Sequence, residues 1–345
     1  MIKKKIFLGG YINHINAQNI NCKSIATHLD KDKYNVKTLV LGNKNIPEIK
    51  GVNYYKVSSF LYSLSNSIAF FRGVIWADIC YVPKHQSTPV IALKIAPFFG
   101  TKLFTTIEAN MCDVSRRNMI NSFGTLKKMK KYFSLIPNIY GITNDIINNT
   151  NCGIELEKKP LYLGVEKEKF YNNNENRELK NIVFIGSLVK NKVVQEFLKL
   201  AISFPNLTFN IVGDGPEKEQ LKLLSTPNVI FHDKLNHDDL SVLLRSMNLH
   251  FLPSRSEGFP KVVLETASAS IPSVLYDTYG ASSWISDHVN GFVVSDFNQV
   301  ESLISELIEN PQVLINCSEK SLELASKFDW KNIISNWHEI IDNLR

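Results

Sequence analysis

Short apolar runs of strand length recur along this chain with helical patterns between them, and they recur in two separate series. The first series contains KIFLGG (5–10), VKTLVLG (36–42), DICYVP (78–83) and KLFTTIE (102–108), with helical segments such as AQNINCKSIATHLDKD and TPVIALKIAPFFG between them. The polar stretch YNNNENRELK, which starts at residue 171 and has no periodicity, then interrupts and reads as a linker. The alternation restarts with NIVFIG (181–186), LTFNIVG (207–213), NVIFHD (228–233), LHFLPS (249–254), SVLY (273–276) and GFVV (291–294). Such alternation predicts parallel sheets covered by helices. At 345 residues the chain suits two domains better than one. The expected fold class is therefore α/β: two Rossmann-like doubly wound domains, 1–171 and 172–328, facing across a cleft. Helices are expected at 298–310 and 312–327, and the last segment, FDWKNIISNWHEIIDNLR, reads as an amphipathic helix.

A hydrophobic content of 44% fits a soluble chain with sizeable cores. MIKKKIFLGGYINH is basic but carries only a short apolar run and no small-residue cleavage site, so it reads as a first strand. No apolar stretch is long enough to span a bilayer. The five cysteines (Cys22, Cys80, Cys112, Cys152, Cys317) are odd in number and scattered. Neither a structural disulfide nor a zinc site is expected, and a reducing cytoplasm is the default. Charge is uneven: residues 1–170 carry 24 Lys and Arg against 11 Asp and Glu, and residues 171–345 carry 15 against 22. That basic half points to an anionic partner. Lys127, Lys128, Lys130 and Lys131 sit beside Phe133, Leu135 and Ile136, which fits either a solvated helix face or an anionic membrane surface. No nucleic-acid motif accompanies the charge.

The segment PSRSEGFPKVVLETASASIPSV, 253–274, is the richest in chemistry. A strand end, the carboxylate of Glu257, a Gly-Phe-Pro turn and a helix carrying Glu265 follow one another. Pro260 suits a first helical position, leaving the following N–H groups at a positive helix terminus where a diphosphate binds well. Carboxylates accept hydrogen bonds from sugar hydroxyls. The combination points to a nucleotide-sugar site, although spacing alone proves little: Glu301 and Glu309 are separated by the same interval in an ordinary amphipathic helix.

In context, Pro253, Ser254, Glu257, Gly258, Phe259, Val262, Leu264 and Glu265 match the pattern P-S-x-x-E-G-F-x-x-V-x-L-E. Here the chain resembles the retaining glycosyltransferases of family 4, which have the GT-B fold, with a C-terminal helix that returns to the first domain. The resemblance implies further donor contacts. Gly186, Ser187, Lys190 and Lys192 in GSLVKNK stand where such enzymes carry G-R-L-v-x-x-K, with Ser187 in place of an arginine. Gly213 and Gly215 resemble a G-x-G-P turn, Lys234 and Leu235 fall where backbone meets the base, and Gly258, Phe259, Pro260, Lys261 and Val262 line the diphosphate. Tyr279-Gly280-Ala281 matches a later turn loosely. PLYLGVEKEKF departs from N-G-V-D-x-x-x-F at Leu163 and Glu166.

Glu257, Lys192 and Glu108 are the implied catalytic residues, Glu108 standing where relatives often have histidine. On the acceptor side the resemblance implies Gly9, Gly10, Gln18 and Asn19. A tight turn accounts equally well for Gly9-Gly10, and helix-start polarity for Gln18 and Asn19. Phe328, Trp330 and Trp337 are the expected contacts of the returning helix. The implied reaction transfers a sugar from a nucleoside diphosphate sugar to a glycan or lipid-linked acceptor, with no cofactor and no metal ion. Catalysis rests on positioning and on charge stabilisation at the leaving diphosphate. A non-hydrolysing nucleotide-sugar epimerase and a catalytically silent binding partner are the alternatives. A nicotinamide dehydrogenase is disfavoured, because neither series carries G-x-G-x-x-G after its first strand.

Overall fold

The computed structural model describes residues 3–14, 16–113, 118–172 and 178–344. They form two compact units, Met1–Leu163 with Trp330–Arg345, and Gly164–Asp329. The first unit holds strands β1 (Lys4–Tyr11), β2 (Tyr34–Leu41), β3 (Val52–Val57), β4 (Ile79–Tyr81), β5 (Lys102–Ile107) and β6 (Asn138–Gly141), in the order β3-β2-β1-β4-β5-β6. The second holds β7 (Asn181–Ile185), β8 (Thr208–Val212), β9 (Val229–His232), β10 (Leu249–Leu252), β11 (Ser273–Tyr276) and β12 (Phe292–Val294), in the order β12-β11-β10-β7-β8-β9. Every neighbouring pair is parallel. The central strands are buried on both faces, as their unbroken apolar runs require: Ile6, Phe7 and Leu8 of β1 and Ile182, Val183 and Phe184 of β7 have no exposed surface. In each sheet the strand order reverses once, between β1 and β4 and between β7 and β10. Ligands of doubly wound sheets bind outside the carboxyl ends of the strands at such a reversal.

The unit boundary lies earlier than the expected linker at residue 171. Residues 164–171 belong to the second core: Val165 N–H donates to Phe328 O at 3.0 Å, and Phe170 meets the His237 ring edge-on at 5.4 Å. The polar stretch is thus internal to the second unit, and its residues 173–177 lie outside the described residues. Helix Trp330–Asn343 does return to the first unit. Fully buried Trp337 donates its indole N–H to Tyr162 O at 3.2 Å and meets Tyr81 at 5.3 Å and Phe104 at 6.2 Å between ring centres. Trp330 is also buried there, 6.0 Å from Trp337. Phe328 is not part of this contact: it stays in the second unit, 5.1 Å from Phe259.

One further expectation is corrected. Cys112 and Cys152 form a disulfide, because the loops after β5 and β6 bring their Cα atoms to 6.0 Å, a separation a bridge needs. The cysteine argument for a reducing compartment thereby loses its basis. In helix Leu126–Phe133 the four lysines are exposed, but Met129, Tyr132 and Phe133 are buried, as is Ile136 beyond the helix. Leu135 is half-buried, and Tyr132 and Phe133 meet the buried His85 ring edge-on at 5.8 Å and 4.9 Å, so these two rings are part of the first unit's core. Among the described residues no helix is long and apolar enough to cross a membrane.

Candidate functional site

The second unit gathers the carboxylate-bearing segment and the GSLVKNK loop at the β7/β10 reversal. Strand β7 runs into Gly186, and the loop turns through a short 3-10 helix, Lys190–Lys192. Strand β10 runs into Pro253–Glu257. Ser254 Oγ donates to Asn191 O at 3.2 Å and so ties the two loops together. Glycines set how closely backbones approach. A Cβ on Gly213, whose φ is +151°, would lie 1.9 Å from Gly186 O, and one on Gly215 would lie 2.3 Å from Leu188 O. No residue but glycine permits that contact.

Lys192 and Glu257 form an ion pair, with side chains only 19% and 14% exposed. Removal of one leaves a largely buried charge on the other, which is costly. Their charges reach neighbouring groups. Burial, then the nearby Lys192, lowers the pKa of His250 in β10 to about 3, so that ring is neutral. Its Nδ1 hydrogen-bonds Ser273 Oγ at 2.8 Å. Burial, then the Glu257 charge, raises the Tyr279 hydroxyl well above its usual range. Tyr279, matched only loosely by its turn, thus lies beside the site.

Helix Lys261–Ser268 starts one residue later than expected: Pro260 is its N-cap, with φ −70° and ψ 108°. Proline has no side-chain acceptor to cap with, so the Lys261 and Val262 N–H groups begin a first turn that has no side-chain cap. Glu265 is 8% exposed. Burial raises its pKa, and Lys261 offsets part of that rise. His237, at the start of helix His237–Leu244, approaches it: Nε2 lies 3.7 Å from Glu265 Oε1. No motif marked His237, since contact comes from the β9 loop folding over the helix. Lys234 is exposed and Leu235 half-buried in that same loop. The ring of Phe259 is a core contact, 5.0 Å from Trp284, which leaves only its backbone for a ligand.

Lys190 is exposed in the 3-10 turn, and Ser187 is exposed beside it. Arg255, in the loop after β10, is held by a carboxylate and a ring. It donates to Glu196 at 2.8 Å and stacks 3.4 Å over Tyr276, whose hydroxyl donates to Glu196 at 2.6 Å.

In the first unit the reversal lies between β1 and β4, and the expected acceptor residues prove to shape the strand ends. A Cβ on Gly10 would lie 2.5 Å from Cys22 Sγ, so Gly10 is needed where helix Ala17–His28 crosses β1, and one on Gly9 would lie 3.0 Å from Phe70. Gln18 donates to Pro83 O at 3.0 Å, and buried Asn19 accepts from Tyr11 N at 2.9 Å. Both hold backbone. The polar groups beyond them are Glu108, half-buried at the end of β5 and 3.3 Å from Asn21 Nδ2, and Lys84 after β4, whose ammonium lies 4.6 Å over the Tyr11 ring. Burial lowers the pKa of Lys84. Neither Asn21 nor Lys84 carried a sequence signal, because a strand end is recognisable as such only once the sheet order is known.

Comparison with known proteins places this geometry. Residues 165–323 match the model of the family described as glycosyl transferases group 1. An uncharacterized glycosyltransferase of Haemophilus influenzae is 29% identical over 58% of this chain and 56% of its own length. The N,N'-diacetylbacillosaminyl-diphospho-undecaprenol alpha-1,3-N-acetylgalactosaminyltransferase of Campylobacter jejuni is 30% identical over 56% of this chain and 52% of its own. The chain thus spans about half the length of these relatives. Among solved structures, Anabaena Alr3699/HepE in complex with UDP superposes with a TM-score of 0.77 at 16% identity, over 99% of this chain and 100% of that one. This likeness establishes the fold as GT-B. The part of the chain that matches the glycosyl transferases group 1 family, residues 165–323, is the part that holds the Lys192–Glu257 pair and Glu265.

Proposed function

We propose that this chain is a retaining glycosyltransferase that moves a sugar from a nucleoside diphosphate sugar to a glycan or lipid-linked acceptor, in synthesis of a bacterial surface polysaccharide. The observation that carries the reading is the Lys192–Glu257 pair at the β7/β10 reversal, followed by a helix whose fifth residue is the buried Glu265. A diphosphate that meets Lys192 and the first turn of that helix presents its sugar to Glu257 and its ribose to Glu265. Charge developing on the leaving diphosphate is met by the Lys192 ammonium and by backbone N–H groups, which are fixed before reaction. No metal ion is needed in this scheme.

The printed ligands and names of similar proteins support the chemical classes. UDP and UDP-glucose are bound in the HepE structures, and the Campylobacter relative is named for an undecaprenol-diphosphate acceptor. On this reading the second unit holds the donor and the first the acceptor, near Glu108, Asn21 and Lys84, with an anionic membrane as a further partner. Thermal shift with UDP, GDP and dTDP tests donor binding: a ligand at about 100 times its Kd adds ~2.7 kcal/mol of stability. Lys192→Ala is expected to lower kcat/KM at least ~100-fold. If no nucleoside diphosphate shifts the melting temperature, or Lys192→Ala turns over normally, the assignment is wrong.

A further inference from the structure

The first unit exposes an apolar face that includes none of the residues named above for donor or acceptor. In helix Tyr62–Trp76 one stripe, including Phe70, Gly73 and Val74, is buried. A second stripe, Leu64, Ile68, Phe71 and Ile75, follows the spacing of a single helix face and is 41–61% exposed. Phe60 (92% exposed) precedes it, and Phe98 (86%) stands on the turn Ala96–Phe99, which packs beside the same helix. Scattered exposed apolar residues need no explanation, but a contiguous face marks an interaction site.

Charge identifies the partner. Between Glu48 and Glu108 the chain carries six Lys and Arg and a single acid, Asp78. A groove of about 230 Å³ along the helix has apolar walls, including Leu64 and Ile68, and two cations, Lys56 and Arg72. Apolar residues flanked by cations, without carboxylates, suit the boundary between lipid headgroups and acyl chains. A second copy of the chain fits poorly: a two-fold contact sets a face against itself, and here it would oppose cations with cations.

We propose that the face built by helix Tyr62–Trp76 and the Ala96–Phe99 turn docks on an anionic lipid bilayer. Its N-terminal end is joined to the β1/β4 reversal. Tyr62 and Tyr11 hydroxyls are 2.9 Å apart, and Asn66 Nδ2 donates to Ser87 O at 2.8 Å. Docking therefore sets the Tyr11–Lys84 region at the lipid surface, where a lipid-linked acceptor carries its phosphates. That consequence rests on the proposed function; docking itself does not.

The test is flotation of the full chain with phosphatidylcholine vesicles, with and without phosphatidylglycerol. Two variants are compared: Leu64→Gln/Ile68→Gln/Phe71→Gln, and Lys127→Gln/Lys128→Gln/Lys130→Gln/Lys131→Gln. Circular-dichroism melting checks that each folds. Wild type is expected on the anionic vesicles alone, more weakly as salt rises, with recovery cut at least ~10-fold in the apolar variant and little changed in the lysine variant. Equal recovery of wild type and apolar variant overturns the proposal. So does failure of wild type to float, or a wild-type dimer in light scattering that the apolar variant abolishes. Vesicle binding needs no nucleotide, so failure to bind a donor bears on the proposed function and leaves docking standing.

Discussion

Burial raises the pKa of Glu265 because its charged form has lost water; Lys261 only offsets this, and His237 Nε2, 3.7 Å away, pairs with it only when protonated. The folded state thus holds the proton more tightly than the unfolded chain does. The sign follows: the stability linked to that proton is fully present below the unfolded value, ~4.3, and is lost as pH rises through the folded pKa. Glu265→Gln cannot ionise. It is expected to be more stable than wild type at neutral pH, with the difference closing as pH falls toward ~4, in urea titrations. The same change is expected to weaken binding of the nucleoside diphosphate by ~1.5–3 kcal/mol, because a diol bonds a carboxylate more strongly than an amide. Lower stability at neutral pH, or unchanged calorimetric affinity, would remove Glu265 from the ribose role. Glu257, Glu265 and Lys192 were legible because each stands in a local motif. His237 was not, since its approach to Glu265 is set by how one loop folds over another helix.

Elements show a different limit. The six strands of the second sheet were all readable, each being an apolar run bounded by polar residues. In the first sheet β3 and β6 escaped: VNYYKV is an edge strand with one buried side chain, and NIYG is short and follows the lysine helix closely. Gly213 and Gly215 were recognisable as a turn, yet the reason for glycine lies in the loop after β7, where their backbone packs on the carbonyls of Gly186 and Leu188. Gly213→Ala combines a Cβ 1.9 Å from Gly186 O with a φ of +151°. It is expected to cost ~3 kcal/mol or more and to displace the donor loop, abolishing the nucleotide shift. Gly42→Ala is the control: φ is +64° there but nothing lies within 4 Å. Only the left-handed backbone penalty remains, ~1–2 kcal/mol. Equal denaturation midpoints for the two variants would rule out the backbone contact as the cause.

At the scale of the whole molecule, two parallel sheets and a returning C-terminal helix were readable from periodicity and from the family resemblance. The unit boundary and the Cys112–Cys152 bridge were not. Both depend on residues distant in sequence meeting in space, as Val165 meets Phe328 and the cysteines meet across 40 positions. The returning helix offers the clearest test of how independent the two units are. Trp337 fills a site formed by Tyr81 of β4 and Phe104 of β5, and its indole N–H has a backbone acceptor in Tyr162. The helix's exposed ion pairs, Lys4–Asp342 at 2.7 Å and Lys159–Glu339 at 3.0 Å, add little, so the buried ring supplies most of its hold. Trp337→Ala opens a cavity and is expected to cost the first unit ~3–5 kcal/mol. Every contact named for the nucleoside diphosphate lies within Gly164–Asp329, which this change does not touch. Scanning calorimetry of the variant should therefore show the first unit melting earlier, while the nucleoside diphosphate still raises the transition of the second. Loss of both together would mean that the two units unfold as one.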